Sequence, residues 1–349
     1  MILPGSYGAV LTLLIVGMLA WGMWANLFKA AGGKWRFELF YFDFAVGVLL
    51  AAAVIAMTAG SLGFDGFSVR DDLQLAGKRQ DLWGFTAGVV FNLGNMLLLG
   101  AVSIAGIAVA FPAGMGFALI VATFWNFAIN PGGSAALLLI GAAVILGAIL
   151  FDVLAFRTWS AAKAKAAQAE AGTGKPKRRK SSLKGVFLSL AGGLLIGSFE
   201  PLIQMGRAGE NGLGPYSIGL IFALGIVFST FVFNLFFMNL PVQGKPIEIA
   251  EYLRARLSRH GLGIIGGIVW YIGMVAILVA GRVEGAVRVA APVSYALEQG
   301  AIVIALLCGL FLWREYAGAD NSVKLRLGLM CFLLLVGIGV MTAGVAAAG

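Results

Sequence analysis

Along this chain polar residues do not alternate with apolar ones; they gather into short breaks between long apolar runs. Ten runs come close to the roughly 20 residues a helix needs to cross hydrocarbon. They are expected at Tyr7–Phe28, Tyr41–Gly60, Leu82–Val102, Ile104–Ile129, Ser134–Phe156, Leu183–Met205, Tyr216–Met238, Leu262–Ala280, Ala286–Trp313 and Val323–Ala346. A membrane barrel would show short segments of period two instead. Lipid offers the backbone no hydrogen bonds, so each run is predicted to be helical. The expected fold is an all-α polytopic membrane protein. Some breaks are very short: Asn130-Pro131-Gly132 predicts a tight turn between antiparallel neighbours. After the seventh run, Ile247–Arg259 sets Ile247, Ile249, Ala250, Leu253 and Leu257 on one stripe with arginines between. That pattern predicts a short helix, either lying in the interface or solvated in a loop.

One break differs from the rest. Arg157–Lys184 carries nine basic residues against one acid, Glu170. Cytoplasmic loops are the ones enriched in lysine and arginine, so this linker is expected inside and both termini outside. The chain then divides into a first five-helix repeat (1–156), a basic cytoplasmic linker (157–182) and a second five-helix repeat (183–349). The linker opens as a good helix former and ends as a charged tether containing Gly, Pro and Ser. Other loops agree. Lys29, Lys34 and Arg36 outnumber Glu38 on the inner side, as Lys245, Arg254, Arg256 and Arg259 outnumber Glu248 and Glu251. On the outer side Asp65, Asp71, Asp72 and Asp81 outnumber Arg70, Lys78 and Arg79.

Because each half has an odd number of spans, equivalent helices would run in opposite directions. That is the inverted repeat from which many secondary transporters build two alternating states. Asn92-x-Gly94 is followed by Pro112, 18 residues past the glycine, and Tyr271-x-Gly273 by Pro292, 19 residues past it. Ten transmembrane helices in two inverted five-helix repeats are therefore expected.

Composition narrows the function classes. Hydrophobic residues make up 60% of the 349 residues and charged residues 12%, about half the charge of an ordinary soluble domain. The net charge of +9 sits mostly in the central linker, so it reports orientation and implies no nucleic-acid partner. Cys308 and Cys331 lie inside apolar runs and read as small hydrophobes. The sole histidine, His260, is placed in a loop beside arginines. No histidine-based catalytic set or metal site follows, and no cofactor is expected. No phosphate-cradling Gly-Lys-Ser/Thr loop occurs. The chain is not expected to be an enzyme. The first run lacks a basic lead and is long enough to span, so it is expected to be a membrane helix and not a cleaved signal.

Polar groups at membrane depth are costly and face partner helices or a cavity. Asn26, Asn92, Asn95 and Asn126 meet that description in the first half. Glu200, Gln204, Asn234, Asn239, Tyr271, Ser294, Tyr295, Glu298 and Gln299 meet it in the second. Amides both donate and accept, which suits an amide-bearing ring or a sugar hydroxyl; interhelical bonding is the alternative use. Trp21, Trp24, Trp270 and Tyr271 offer rings for a flat solute or serve as interfacial anchors. The candidate substrate-binding set is Trp21, Asn26, Asn92, Asn95, Trp270, Tyr271, Tyr295 and Gln299. Glu298 is the sharpest acid, near mid-span and six residues after Pro292. Carboxyls in low-dielectric cavities hold protons tightly, as proton coupling requires. Glu200, just before Pro201, and Asp43, near a span end where it would also serve as a cap, complete the proton-coupling candidates. Gly88, Gly94, Gly192, Gly193, Gly197, Gly266 and Gly267 are expected to let helices approach closely.

The ten-span layout, the prolines Pro112 and Pro292 and the acid Glu315 after the ninth span resemble the drug/metabolite transporter superfamily. Within it, the stretch WGMWANLFKAAG followed by YFDFAVG is similar to the branch of ureide permeases and glucose/rhamnose uptake permeases. In ureide permeases a tryptophan-led first span precedes a Tyr-x-Asp-(Tyr/Phe) opening of the second; Trp21, Trp24, Tyr41, Asp43 and Phe44 stand there. Gly94-Asn95 matches the Gly-Asn pair of their third span. The nucleotide-binding-like motif of the plant central loop is absent. The resemblance implies proton-coupled uptake of a ureide such as allantoin, a nucleobase or a sugar. A metabolite or drug exporter is the remaining alternative. Expected partners are a small-molecule substrate, protons as coupling ion and the lipid bilayer, with the protein a monomer or homodimer in a bacterial inner membrane.

Overall fold

The computed structural model describes residues 1–32, 35–63, 67–129, 131–171, 182–283 and 285–347. Lys34, Asp65, Asn130 and the basic run Lys175–Lys180, used above for turns and orientation, lie outside the described residues. The helices are α1 (Tyr7–Met23), α2 (Ala25–Ala30), α3 (Phe37–Met57), α4 (Val69–Leu75), α5 (Lys78–Ala105), α6 (Ile107–Ile129) and α7 (Ala135–Ala171). They continue as α8 (Ser182–Arg207), α9 (Pro215–Asn239), α10 (Ile249–Leu253), α11 (Leu257–Ala280), α12 (Ala291–Leu307) and α13 (Asn321–Ala346). Among the described residues, ten helical stretches are long and apolar enough to cross a membrane. The chain is an all-α, multi-pass membrane protein.

Three stretches depart from the sequence reading. α7 has 37 residues, about 55 Å at 1.5 Å per residue, so it outruns the hydrocarbon and carries the first part of the basic linker as helix. The predicted stripe Ile247–Arg259 contributes only the five residues of α10 before α11 begins at Leu257. The ninth crossing, Gly285–Leu312, opens with a 3-10 turn at Gly285–Val287 and closes with a π-helical turn at Cys308–Leu312. Pro292 occupies the first turn of α12, where its missing N–H costs nothing.

The chain forms two compact units, and neither coincides with a sequence half. One comprises Met1–Met96 with Ser198–Ile304, the other Leu97–Gly197 with Ala305–Gly349.

In the first unit α11 is the hub, packing on α1, α2, α3 and α9. Its contact with α3 is made backbone to backbone. A Cβ on Gly267 would stand 2.0 Å from the Phe44 carbonyl oxygen, and one on Gly47 2.1 Å from that of Ile264. α5 and α9 meet the same way: a Cβ on Gly88 would lie 2.2 Å from the Phe222 carbonyl oxygen, and one on Gly225 2.2 Å from that of Phe85. Away from these crossings, a Ser68–Asp71 capping box opens α4. The Ser68 hydroxyl and amide hold the half-buried Asp71 carboxyl below its ordinary pKa. Asp72 accepts the Gly214 amide at 2.8 Å, just before α9.

In the second unit α7 lies along α13, and Gly141 faces Met341 and Gly337 across that contact. Glu315 caps α6: its two carboxyl oxygens accept the amides of Ile107 and Ala108 at 2.9 and 2.7 Å. These are orphan donors at a helix N-terminus, where negative charge is favoured. Gly106 makes the tight α5–α6 turn possible with φ +91. Glu315, the acid after the ninth span, has this structural task.

Gly267→Ala places a methyl against a backbone that cannot move aside and should cost about 1–3 kcal/mol. Gly261→Ala on the same helix meets open space and should be neutral or slightly stabilising. Thermal unfolding of both variants in detergent checks the contrast.

Candidate functional site

Two residues apart on an α-helix means about 200° of rotation, so Tyr41 and Asp43 leave α3 on opposite sides. Tyr41 turns to α5, where the Asn95 amide donates to its hydroxyl at 3.1 Å. Asn92, three residues earlier, donates to Ser229 Oγ at 2.8 Å, Thr230 Oγ1 at 3.1 Å and the Ile226 carbonyl at 3.2 Å, all on α9. Asn92 and Asn95 are fully buried. Asn92 serves α5–α9 packing, with its amide donors already engaged. One turn past Thr230, Asn234 is also fully buried, yet neither end of its amide has a hydrogen-bond partner among the described residues.

Phe44 points toward an aromatic cluster assembled from α1, α3, α5, α8, α9 and α11. Trp270 is its centre, 4.4 Å from Phe91, 5.9 Å from Phe222 and 6.2 Å from both Trp21 and Phe44, ring centroid to ring centroid. Phe199 closes it through Phe91 and Phe222. Trp21 reaches in because Gly273 has no side chain; a Cβ there would stand 2.6 Å from its Cδ1. Its indole donates to the Trp270 carbonyl at 3.3 Å. Trp270 is enclosed by protein rings, and half-buried Trp21 is the ring that keeps accessible surface. Tyr271 is buried with its hydroxyl against Gly219 of α9.

Glu298 lies halfway along the Gly285–Leu312 crossing and is partly accessible. Tyr295 and Gln299 flank it on α12 with similar exposure. Glu200, also partly accessible, is hydrogen-bonded to Gln204 one turn on, with Arg207 a further turn along α8. Asn26 donates to the Met23 carbonyl at 2.9 Å near the end of the first crossing. Every residue of the two candidate sets falls in the same compact unit.

Asp43 is not a cap. It sits in the second turn of α3, behind Arg36 as the N-cap, and is buried against α10 and α11. Tyr252 donates to its Oδ1 at 2.6 Å, and His260 Nδ1 lies 3.0 Å from both carboxyl oxygens. Placing His260 in a loop was wrong: it belongs to the first turn of α11. Burial, then the bond to Asp43, pushes the Tyr252 phenol well above its ordinary pKa, so it acts as a donor. Trp35 stacks on Tyr252 and meets His260 edge-on at 5.4 Å. Nearby, Arg36 pairs with the fully buried Glu38.

The sequence reading also passed over Asp152. This acid of α7, in the second unit, is fully buried, and neither carboxyl oxygen is hydrogen-bonded among the described residues. The available signal was an acid inside an apolar run.

No family model matches the chain. It is similar to ureide permease 1 of Arabidopsis thaliana, with 19% identity over an alignment of 385 positions that covers 97% of each chain. A solved crystal structure superposes with a TM-score of 0.51 over 97% of both chains at 17% identity, a likeness of fold. Both likenesses are distant and run over nearly the full length of the chain.

Asn92→Ala removes a buried knot between α5 and α9 and should cost about 1–3 kcal/mol. Asn239→Ala, whose exposed amide donates to the Leu235 carbonyl of its own helix at 2.8 Å, should remain within about 0.5 kcal/mol of wild type. Denaturation in detergent distinguishes the two.

Proposed function

We propose that this protein is a secondary transporter that takes up a small neutral polar solute with protons, a ureide such as allantoin or a nucleobase. One observation carries the reading. Two partly accessible carboxyls at membrane depth, Glu298 and Glu200, share a compact unit with a buried amide, Asn234, whose donors and acceptor are unused among the described residues. A protein built only to be stable has little reason to keep such groups in hydrocarbon. The full-length likeness to a ureide permease supports the choice of solute, since ureides and nucleobases present the amide donors and acceptors that Asn234 and Gln299 complement. Trp21, in the same compact unit, supplies a ring with accessible surface for stacking. Asn92, Asn95, Trp270 and Tyr271 hold the surrounding helices in place around those groups.

Proton coupling falls to Glu298, with Glu200 nearer one end of its crossing and Asp43 nearer the other. Loading of Glu298 and binding of solute favour each other, and such coupling is reciprocal. The sequence halves 1–156 and 183–349 act as inverted repeats about this region, with the linker 157–182 on the cytoplasmic face of a bacterial inner membrane.

Glu298→Gln retains shape and part of the hydrogen bonding but cannot exchange a proton. It should abolish solute accumulation driven by a pH gradient in proteoliposomes while leaving solute-for-solute exchange. Glu200→Gln should be milder. Uphill uptake of unchanged pH dependence in Glu298→Gln would remove that residue from the coupling role.

A further inference from the structure

We propose that Asp43 and His260 hold one exchangeable proton between them, a proton-binding site separate from Glu298 and Glu200, and that Tyr252 ties its occupancy to the docking of α10. The inference stands on local geometry and does not rest on the transport reading.

The two residues are 217 positions apart in sequence and meet at the α3–α11 crossing, with the imidazole Nδ1 at 3.0 Å from each carboxyl oxygen. The Asp43 side chain is 3% exposed and that of His260 17%. A carboxylate so buried is costly without a countercharge, and an imidazolium supplies one. With one proton on the pair, its net charge is zero. Without it, a buried negative charge remains, held only by the Tyr252 hydroxyl and a neutral N–H.

Other charges do not substitute for that proton. Tyr252 and His260 are the ionisable groups acting on Asp43. Of the helices packed on α3 and α11, α1 and α9 bring only Tyr7 and Tyr216 as ionisable residues, and α2 only Lys29. Earlier on α3, Arg36 is paired with Glu38, and Arg259 of α11 lies over the Trp35 ring at 5.7 Å.

When the proton leaves, the Tyr252 hydroxyl is the main donor left to stabilise the carboxylate, beside a neutral imidazole. On the α3–α11 side the helices touch at Gly47, Gly263 and Gly267, which leaves no space for water beside the pair: a Cβ on Gly263 would stand 2.4 Å from the Asp43 Cβ. α10 is five residues long, contains no buried residue and meets this site through one side chain, Tyr252, whose hydroxyl bonds Asp43 and whose ring packs on Trp35, Phe42 and His260. The Tyr252 hydroxyl bonds the carboxylate more strongly once the countercharge is gone, so proton loss tightens α10, and docking of α10 favours proton release by the same linkage.

Trp35 is placed to report both events, edge-on to His260 and stacked at 6.2 Å on Tyr252; an imidazolium quenches indole emission more strongly than a neutral imidazole. The test is a fluorescence titration of the full chain in detergent, without solute or gradient, from about pH 5 to about pH 9. Wild type should show a one-proton transition that disappears in Trp35→Phe and in His260→Gln. Asp43→Asn removes the countercharge and should move the transition to lower pH by about one unit or more. Tyr252→Phe deletes one oxygen that stabilises the carboxylate, and should move it to higher pH. A merely structural cluster would not give displacements of opposite sign. A transition that survives His260→Gln, or one that stays in place in both Asp43→Asn and Tyr252→Phe, would overturn the proposal. Since Tyr252→Phe is the mildest change, it keeps the test decisive should the charged variants fail to fold.

Discussion

The contact between α3 and α11 is what the first compact unit depends on. Lipid gives helices no hydrophobic reason to associate, so their attraction comes from close van der Waals packing and hydrogen bonds. Gly47, Gly263 and Gly267 let the two backbones touch. From that line α11 reaches α1, α2 and α9, which sets Trp270 amid rings from neighbouring helices and seals Asp43 beneath α10. A side chain at any of the three glycines would disturb the aromatic cluster and the carboxylate–imidazole pair together.

Around this frame the polar groups divide by whether their hydrogen bonds are already made. Asn92, Asn95 and Tyr41 bond one another's helices and rigidify the unit. Asp43 is engaged twice over. Asn234 keeps its amide unused, while Glu298 and Glu200 keep accessible surface, and these are the groups with capacity for a solute or a proton. In the second unit the bonds that are made serve the fold, as Glu315 does at the start of α6 and Arg326 does by donating to the Leu154 carbonyl at 3.3 Å. Asp152, the Tyr316 hydroxyl and the Asn126 Oδ1 are the buried exceptions there, each lacking a hydrogen-bond partner among the described residues.

The ten crossings were legible because hydrocarbon thickness imposes a length on every apolar run. Their ends were less so: Leu257–Gly261 reads as loop because Arg259 and His260 interrupt the apolar pattern, yet their helix is already formed there, with the imidazole turned inward onto Asp43. That pairing joins positions 43 and 260, and local periodicity carries no information about it. The Tyr41-x-Asp43 spacing did carry information, since it predicts two opposite faces, but not what each face meets. Compactness was illegible for a related reason. The charged linker marks a boundary in sequence, whereas packing groups the start of one half with the middle of the other. Asn234 looked like any other membrane asparagine until its neighbours' bonds were accounted for.

The central claim is that Glu298, Asn234 and Trp21 serve a small neutral polar solute, and counterflow in proteoliposomes tests it most directly. Purified protein preloaded against allantoin, uracil, xanthine, glucose, ribose and rhamnose should exchange at least one of them saturably, with a ureide or nucleobase preferred over the sugars. Exchange of a hydrophobic cation or an amino acid, with none of those six, would contradict the account and point to an exporter.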